Sequence, residues 1–225
     1  MNVRDEDLMQ LHLDVLYQQN EAGALTVMNE PPFEPAPTVH IGVTRDGKQM
    51  RFSSRVDEVF KKRLENTIQD ADEDLLVDLI HQLMNRADLH EFRMGPTYVF
   101  PTIEEISPKV LHVTEQHKEL LKDDFLFTYM NFDMKQPCYV VMELDRIASI
   151  CCTARQSAVA AEASVYTHPK SRGKGYGAAV AQAWARDVQR QGRVALYSTT
   201  WDNFASQGIA RTLNMRQYGV DVSIE

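Results

Sequence analysis

The sequence predicts an α/β (α+β) fold, with a mixed central sheet flanked by helices. Three observations carry this expectation. Apolar segments of strand length recur at 138–144, 147–154, 160–167 and 194–200. An Ala-rich segment at 175–191, between the last two, has the apolar period of a helix instead. The composition, 44% hydrophobic and 25% charged over 225 residues, is that of a globular chain long enough to bury a sizeable core.

The elements follow in chain order. Residues 5–20 have Leu8, Leu11, Leu13 and Leu16 at a partly helical period, and 24–29 read as a strand. A proline-rich connector, EPPFEPAP, leads to a hairpin over 38–52 that turns at Asp46-Gly47. Residues 56–86 read as a helix with Leu75, Leu76, Leu79, Ile80 and Leu83 as its buried stripe. The acidic stretch 57–78 reads as a solvated face, or more weakly as a partner surface. A short strand falls in GPTYVFP at 95–101. The expected domain boundary lies at Ser107-Pro108, dividing an N-terminal α/β region, 1–108, from a second domain, 109–225. Beyond it, 114–125 reads as a helix capped by Thr114. The strands 138–144 and 147–154 join through a tight turn at Asp145-Arg146. In the helix 175–191, Ala181, Trp184, Ala185 and Val188 share a face, and Gly192 suits its C-terminal end. A further helix covers 203–213, and QYGVDVSIE closes as an edge strand.

Charge and cysteines narrow the function classes. A formal charge of −8 argues against a general nucleic-acid binder, and any anionic ligand must be held by local features. Cys138, Cys151 and Cys152 form neither a disulfide framework nor a zinc spacing, and read as reduced, buried thiols. No apolar run approaches the roughly 20 residues that span a bilayer, and the acidic N-terminus lacks a secretory pattern. The expectation is a cytoplasmic protein without membrane or metal.

The informative segment is VYTHPKSRGKGYGAAVAQAWA. A strand ends, a short loop carries Arg172-Gly173-Lys174-Gly175-Tyr176-Gly177, and a helix begins. A helix N-terminus presents unpaired N–H groups and partial positive charge. Glycines let a phosphate approach the backbone, and successive amides in such a loop form an anion nest. Lys170, Arg172 and Lys174 add positive charge with no acid between His168 and Gly177. A Walker loop would need a Ser or Thr after its lysine, and a dinucleotide fingerprint would need Gly-x-Gly-x-x-Gly; neither is present. A protein-kinase loop would need further motifs that the chain lacks. A glycine-rich turn that only starts a helix is the plain alternative.

Arg172 to Gly177 resembles the Arg/Gln-x-x-Gly-x-Gly/Ala signature of the GNAT acetyltransferases, and STTWDNFASQGIARTLNM resembles their second cofactor motif, with Asn203 as its asparagine. The resemblance spans about residues 109–225 and extends to a bacterial subgroup with an extra N-terminal region. It implies a GNAT-like mixed sheet split between the strands at 160–167 and 194–200, acetyl-CoA as cofactor, and direct attack of an amine on the thioester. The implied cofactor-binding residues are Val165, Tyr166, Thr167, Arg172, Gly173, Lys174, Gly175, Tyr176, Gly177, Asn203 and Ser206.

The attacking amine must lose a proton, so a base is required. Glu162, on the strand entering the loop, is the first candidate, and a structural pair with Arg155 is the alternative of equal weight. Arg155 and Glu162 are the candidate acceptor-binding residues. The family's usual tyrosine, seven residues after the asparagine, is Ala210 here, so the acid that serves the leaving thiolate is open between Ser206 and Tyr218. The functional expectation is transfer of an acetyl group to a primary amine of a small molecule or peptide. A non-catalytic acyl-CoA-binding sensor is the alternative, and a homodimer is compatible with either.

Overall fold

The computed structural model describes residues 3–69 and 91–225. Helix α1 (Asp5–Leu16) buries Leu8, Met9, Leu13 and Val15 and runs into β1 (Tyr17–Gln19), which pairs with β2 (Leu25–Met28). The hairpin β3 (Val39–Thr44) and β4 (Gly47–Phe52) follows, then α2 (Glu58–Gln69) and β5 (Phe92–Val99). The stripe expected at Leu75, Leu76, Leu79, Ile80 and Leu83 lies outside the described residues. Next come β6 (Val110–His112), a short helix α3 (Leu126–Met130), and the long antiparallel pair β7 (Cys138–Glu143) and β8 (Arg146–Gln156). The chain ends with β9 (Ala160–Thr167), α4 (Tyr176–Arg190), β10 (Val194–Ser198), α5 (Phe204–Thr212) and β11 (Arg216–Ile224).

Among the described residues, nine strands form one sheet in the order β4-β3-β11-β5-β10-β9-β8-β7-β6. Strands from both sides of Ser107-Pro108 contribute to it. Every neighbouring pair is antiparallel except β9 with β10. The terminal strand is therefore not an edge strand, as its position in sequence suggested. β11 is inserted between β3 and β5, because Val222 and Ile224 complete one core with Val39 and Ile41 while Tyr218 packs on the other face under α1. The segment 114–125 forms a 3-10 turn, Glu115–Leu121, in place of a full α-helix. Only Leu121 of that turn is buried, so no apolar stripe holds a longer helix to the sheet.

Helix α4 covers one face of the sheet and α1 the other. Small Ala181 and Ala185 let α4 approach closely, and Trp184 is fully buried between them. The Trp184 indole N–H donates to Thr153 Oγ1 at 3.0 Å, and that hydroxyl donates to the Gln136 carbonyl at 2.8 Å. The large ring is thus buried with its polar atom satisfied, an arrangement whose loss on truncation to Ala typically costs about 3–5 kcal/mol.

Candidate functional site

The sheet splits where its parallel pair ends. β9 and β10 are in register at Ala160–Val194, Ala161–Ala195 and Glu162–Leu196, and not beyond. From there β9 stays on β8 as far as Thr167, while β10 stays on β5. Peptide groups alternate in direction along a strand. The His168 amide donates to Ala148 on β8, and Ser149 Oγ on β8 donates to the Tyr166 carbonyl. The peptide groups of Val165 and Thr167 therefore point the other way, into the opening. They border a cleft of about 520 Å³ formed with the loop 171–177 and with Asn203, Ser206 and Ile209 of the α5 region.

The loop is shaped by left-handed glycines, Gly173 at φ 77° and Gly175 at φ 79°, a conformation costly for other residues. Gly175 is the N-cap of α4 and supplies no side chain to cap it. The amides of the first helical turn have no intrahelical carbonyl to bind, and Tyr176, Gly177 and Ala178, which carry them, border the cleft. A Cβ on Gly177 would meet Ile209 and Thr167 Oγ1 at 3.0 Å, which fixes how closely α4, α5 and β9 converge.

The cationic side chains differ in availability. An acid does reach this loop, from β7: Glu143 accepts from Lys174 Nζ at 2.6 Å and from Ser171 Oγ at 2.8 Å. These bonds, Lys174 first, hold the Glu143 carboxyl below its ordinary value, and the Lys174 ammonium is raised by the same contact. Lys174 thus braces the loop, and Arg172, whose Nε donates to the Thr167 carbonyl at 3.3 Å, lies across the mouth of the cleft.

On the opposite, α1 face of the sheet, the end of the split opens into a second cavity of about 160 Å³. Glu162 is buried beside it. Its Oε1 accepts from Ser198 Oγ at 2.5 Å and its Oε2 from Arg155 at 3.1 Å. Arg155 also reaches Glu30 at 3.1 Å, and Glu30 is bound in turn by buried Lys135. Asp221 lies further along this face, with His12 Nε2 3.0 Å from its Oδ2. Burial alone would push the Asp221 carboxyl up, but the hydrogen bond and charge of His12 outweigh it and hold the group below its ordinary value. Burial would likewise lower His12, and Asp221 raises it overall.

The structure brings Glu162 and Arg155 together as a direct ion pair, the alternative held open for them in the sequence. Val165, Tyr166, Thr167, Arg172, Gly173, Gly175, Tyr176, Gly177, Asn203 and Ser206 all border the cofactor-side cleft. Asn203 Oδ1 accepts the Ser206 amide at 3.1 Å, so its carbonyl caps α5 and its amide remains for a ligand. Tyr218 is not brought to the cleft. It is buried under α1 beside Thr97 and packs against Leu8 and Met9.

A model of the GNAT acetyltransferase family matches residues 44–218. The chain belongs to the GNAT acetyltransferase family. Solved GNAT structures share the fold at low identity. A GCN5-related N-acetyltransferase from Sphaerobacter thermophilus has 15% identity and a TM-score of 0.50, covering 88% of this chain and 79% of that one. A GCN5-related N-acetyltransferase-like protein from Streptococcus suis has 12% identity and a TM-score of 0.50, covering 84% and 85%. A GNAT-family structure from Novosphingobium aromaticivorans has 16% identity and a TM-score of 0.50 over 60% of this chain, which spans 65% of that protein's length. A search of curated proteins gave no match.

Two residues of this GNAT site escaped the sequence reading. Ser198, the partner of Glu162, lies two positions past the last β9–β10 pair, where nothing local marks it. Tyr197 is buried in the core that contains Ala210, close to the Ser206 side chain, with its phenol pushed up to about 12 by burial. A tyrosine is thus supplied to the Ser206 region from β10 rather than from α5.

Proposed function

We propose that the protein transfers an acetyl group from acetyl-CoA to a primary amine of a small molecule or peptide. The observation that carries this reading is the divergence of β9 from β10 after Glu162, with peptide groups of β9 turned away from β8 on one wall and a glycine-shaped anion nest at its end. Both features suit an extended chain of amides ending in a diphosphate. Acetyl-CoA, when bound, supplies an activated thioester.

The chain's own residues divide the remaining work. The peptide groups of Val165 and Thr167 align the amide-bearing arm, and the amides from Gly173 to Gly177 hold the diphosphate, with Arg172 across the mouth. The cavity on the α1 face holds the amine. Ser198 takes the proton that the amine loses while passing its own to Glu162 Oε1, along the 2.5 Å hydrogen bond already in place. Arg155 keeps Glu162 oriented and balances its charge, and is in this reading a positioning residue. On the other side of the split, Ser206, which borders the cleft with Tyr197 behind it, would pass a proton to the thiolate that leaves when acetyl-CoA is bound.

The test is thiol release from acetyl-CoA against a panel of primary amines, with coenzyme A affinity measured alongside by calorimetry. Turnover that falls at least tenfold in Ser198→Ala, with coenzyme A affinity unchanged, is the expected result. Coenzyme A binding without turnover on any amine would favour the sensor reading, and failure to bind coenzyme A would remove both.

A further inference from the structure

The cavity on the α1 face has an uneven charge balance. Its near end is formed by Ser198 and Arg155, and its far end by Asp221 and Ser223, alternate residues on one face of β11, and by Glu225 just past the end of that strand. Two arginines border it, and both are already engaged. Arg155 is held between Glu30 and Glu162, and Arg93 donates to Glu91 at 2.6 and 2.8 Å. The carboxylates are less fully matched. Among the described residues Asp221 has one ion-pair partner, His12, which is fully buried behind it, while the Asp221 side chain remains 20% exposed. The exposed part faces the cavity. Glu225 is exposed, and among the described residues its side chain enters no ion pair. Tyr17 contributes a wall but turns its hydroxyl to His40 Nδ1 at 3.0 Å, so it offers the cavity little polarity.

Building on the acetyl-transfer reading, we infer that the acceptor is a short diamine, whose second ammonium group is held by Asp221 while its reacting amine lies at Ser198, with Glu225 adding negative charge further along the same face. A carboxylate that is partly buried gains a charge-assisted bond from an ammonium and nothing from an alkyl end. An acceptor bearing a carboxylate at the same position would be repelled by both acids. The cavity of about 160 Å³ is close in size to engineered cavities that take a six-carbon ring, so the acceptor has about six non-hydrogen atoms in the enclosed part. The Ser223 hydroxyl, between the two acids, can accept a third ammonium hydrogen.

The test compares 1,4-diaminobutane, 1-aminobutane, 4-amino-1-butanol and 4-aminobutanoate as acceptors for the full-length protein with acetyl-CoA. The expected kcat/KM for the diamine exceeds that of the monoamine by on the order of 10–100-fold, the range of a charge-assisted hydrogen bond to a partly buried carboxylate. Asp221→Asn should bring that ratio close to one while the coenzyme A dissociation constant stays unchanged. Glu225→Gln, at an exposed position that folding does not depend on, should reduce the ratio by a smaller factor. A ratio near one in the unaltered protein, a preference for 4-aminobutanoate, or a ratio that survives both substitutions overturns the inference. Calorimetric titration of the coenzyme A-loaded protein with the same four amines separates this from the parent reading. Selective binding of the diamine without turnover sinks acetyl transfer and keeps the cation site, whereas equal or absent binding sinks the cation site itself.

Discussion

Replacing Arg155 by Met isolates the energetics of the split. Arg155 is 20% exposed and bonded to Glu162, which is 4% exposed, and to Glu30. The substitution keeps the aliphatic bulk and removes the charge. Glu30 retains Lys135, but Glu162 is left buried with Ser198 alone. Breaking a buried pair from one side typically costs about 3–5 kcal/mol, because the surviving charge has no compensation. The lower end of that range corresponds to a fall in melting temperature of about 6–12 °C for a chain of this length. The assay is urea unfolding at pH 7 for the original protein, Arg155→Met, Glu162→Gln and the double variant. If the cost arises from the stranded carboxylate, the double variant should be more stable than Arg155→Met by about half of the loss, a coupling of at least ~1 kcal/mol. A cost below about 1 kcal/mol for Arg155→Met, or a double variant that simply adds the two single losses, would refute the assignment of Arg155 as the counter-charge of Glu162.

Three further outcomes follow from the same structure. His40 is fully buried and lowered by burial to about 4. The unfolded chain therefore binds this proton first as pH falls below about 6.5, and stability should drop by up to about 3 kcal/mol on going from pH 6.5 to below 4. Denaturant unfolding should show that slope reduced in His40→Asn, and an unchanged slope would contradict the neutral buried ring. Gly175→Ala, at φ 79°, should weaken coenzyme A binding in calorimetry and cost about 1–2 kcal/mol of stability, while Lys174→Gln should weaken binding less than Arg172→Gln because Glu143 already holds Lys174. Gly95→Ala should be among the most damaging single changes, since its Cβ would run into the Thr199 backbone next to the acceptor cavity. A variant that melts within 2 °C or so of the parent would show that β5 and β10 are more loosely joined there than their register implies.

The amino-acid pattern alone determined the parts whose causes are local. The glycine spacing from Arg172 to Gly177 sets left-handed backbone at two positions and opens a helix, and both depend on neighbouring residues only. The apolar face of α4 and the presence of both hairpins are legible for the same reason, but each turn lies one residue earlier than the pattern suggested, at Arg45-Asp46 and at Leu144-Asp145, because Gly47 and Arg146 already pair as the first residues of β4 and β8. Tertiary structure decided what pairs with what. A bulge between Thr153 and Arg155 shifts the register of β8 so that Arg155, rather than its neighbour, stands opposite Glu162. Glu30 reaches the same guanidinium from far away in sequence, and Ser198 arrives on a strand that has just parted from β9. The place of β11 between β3 and β5, which carries Asp221 to the acceptor cavity, follows from which strand buries its apolar face where. Side-chain periodicity tells a strand which face to bury but not which neighbour to take, because backbone hydrogen bonds are alike along every edge.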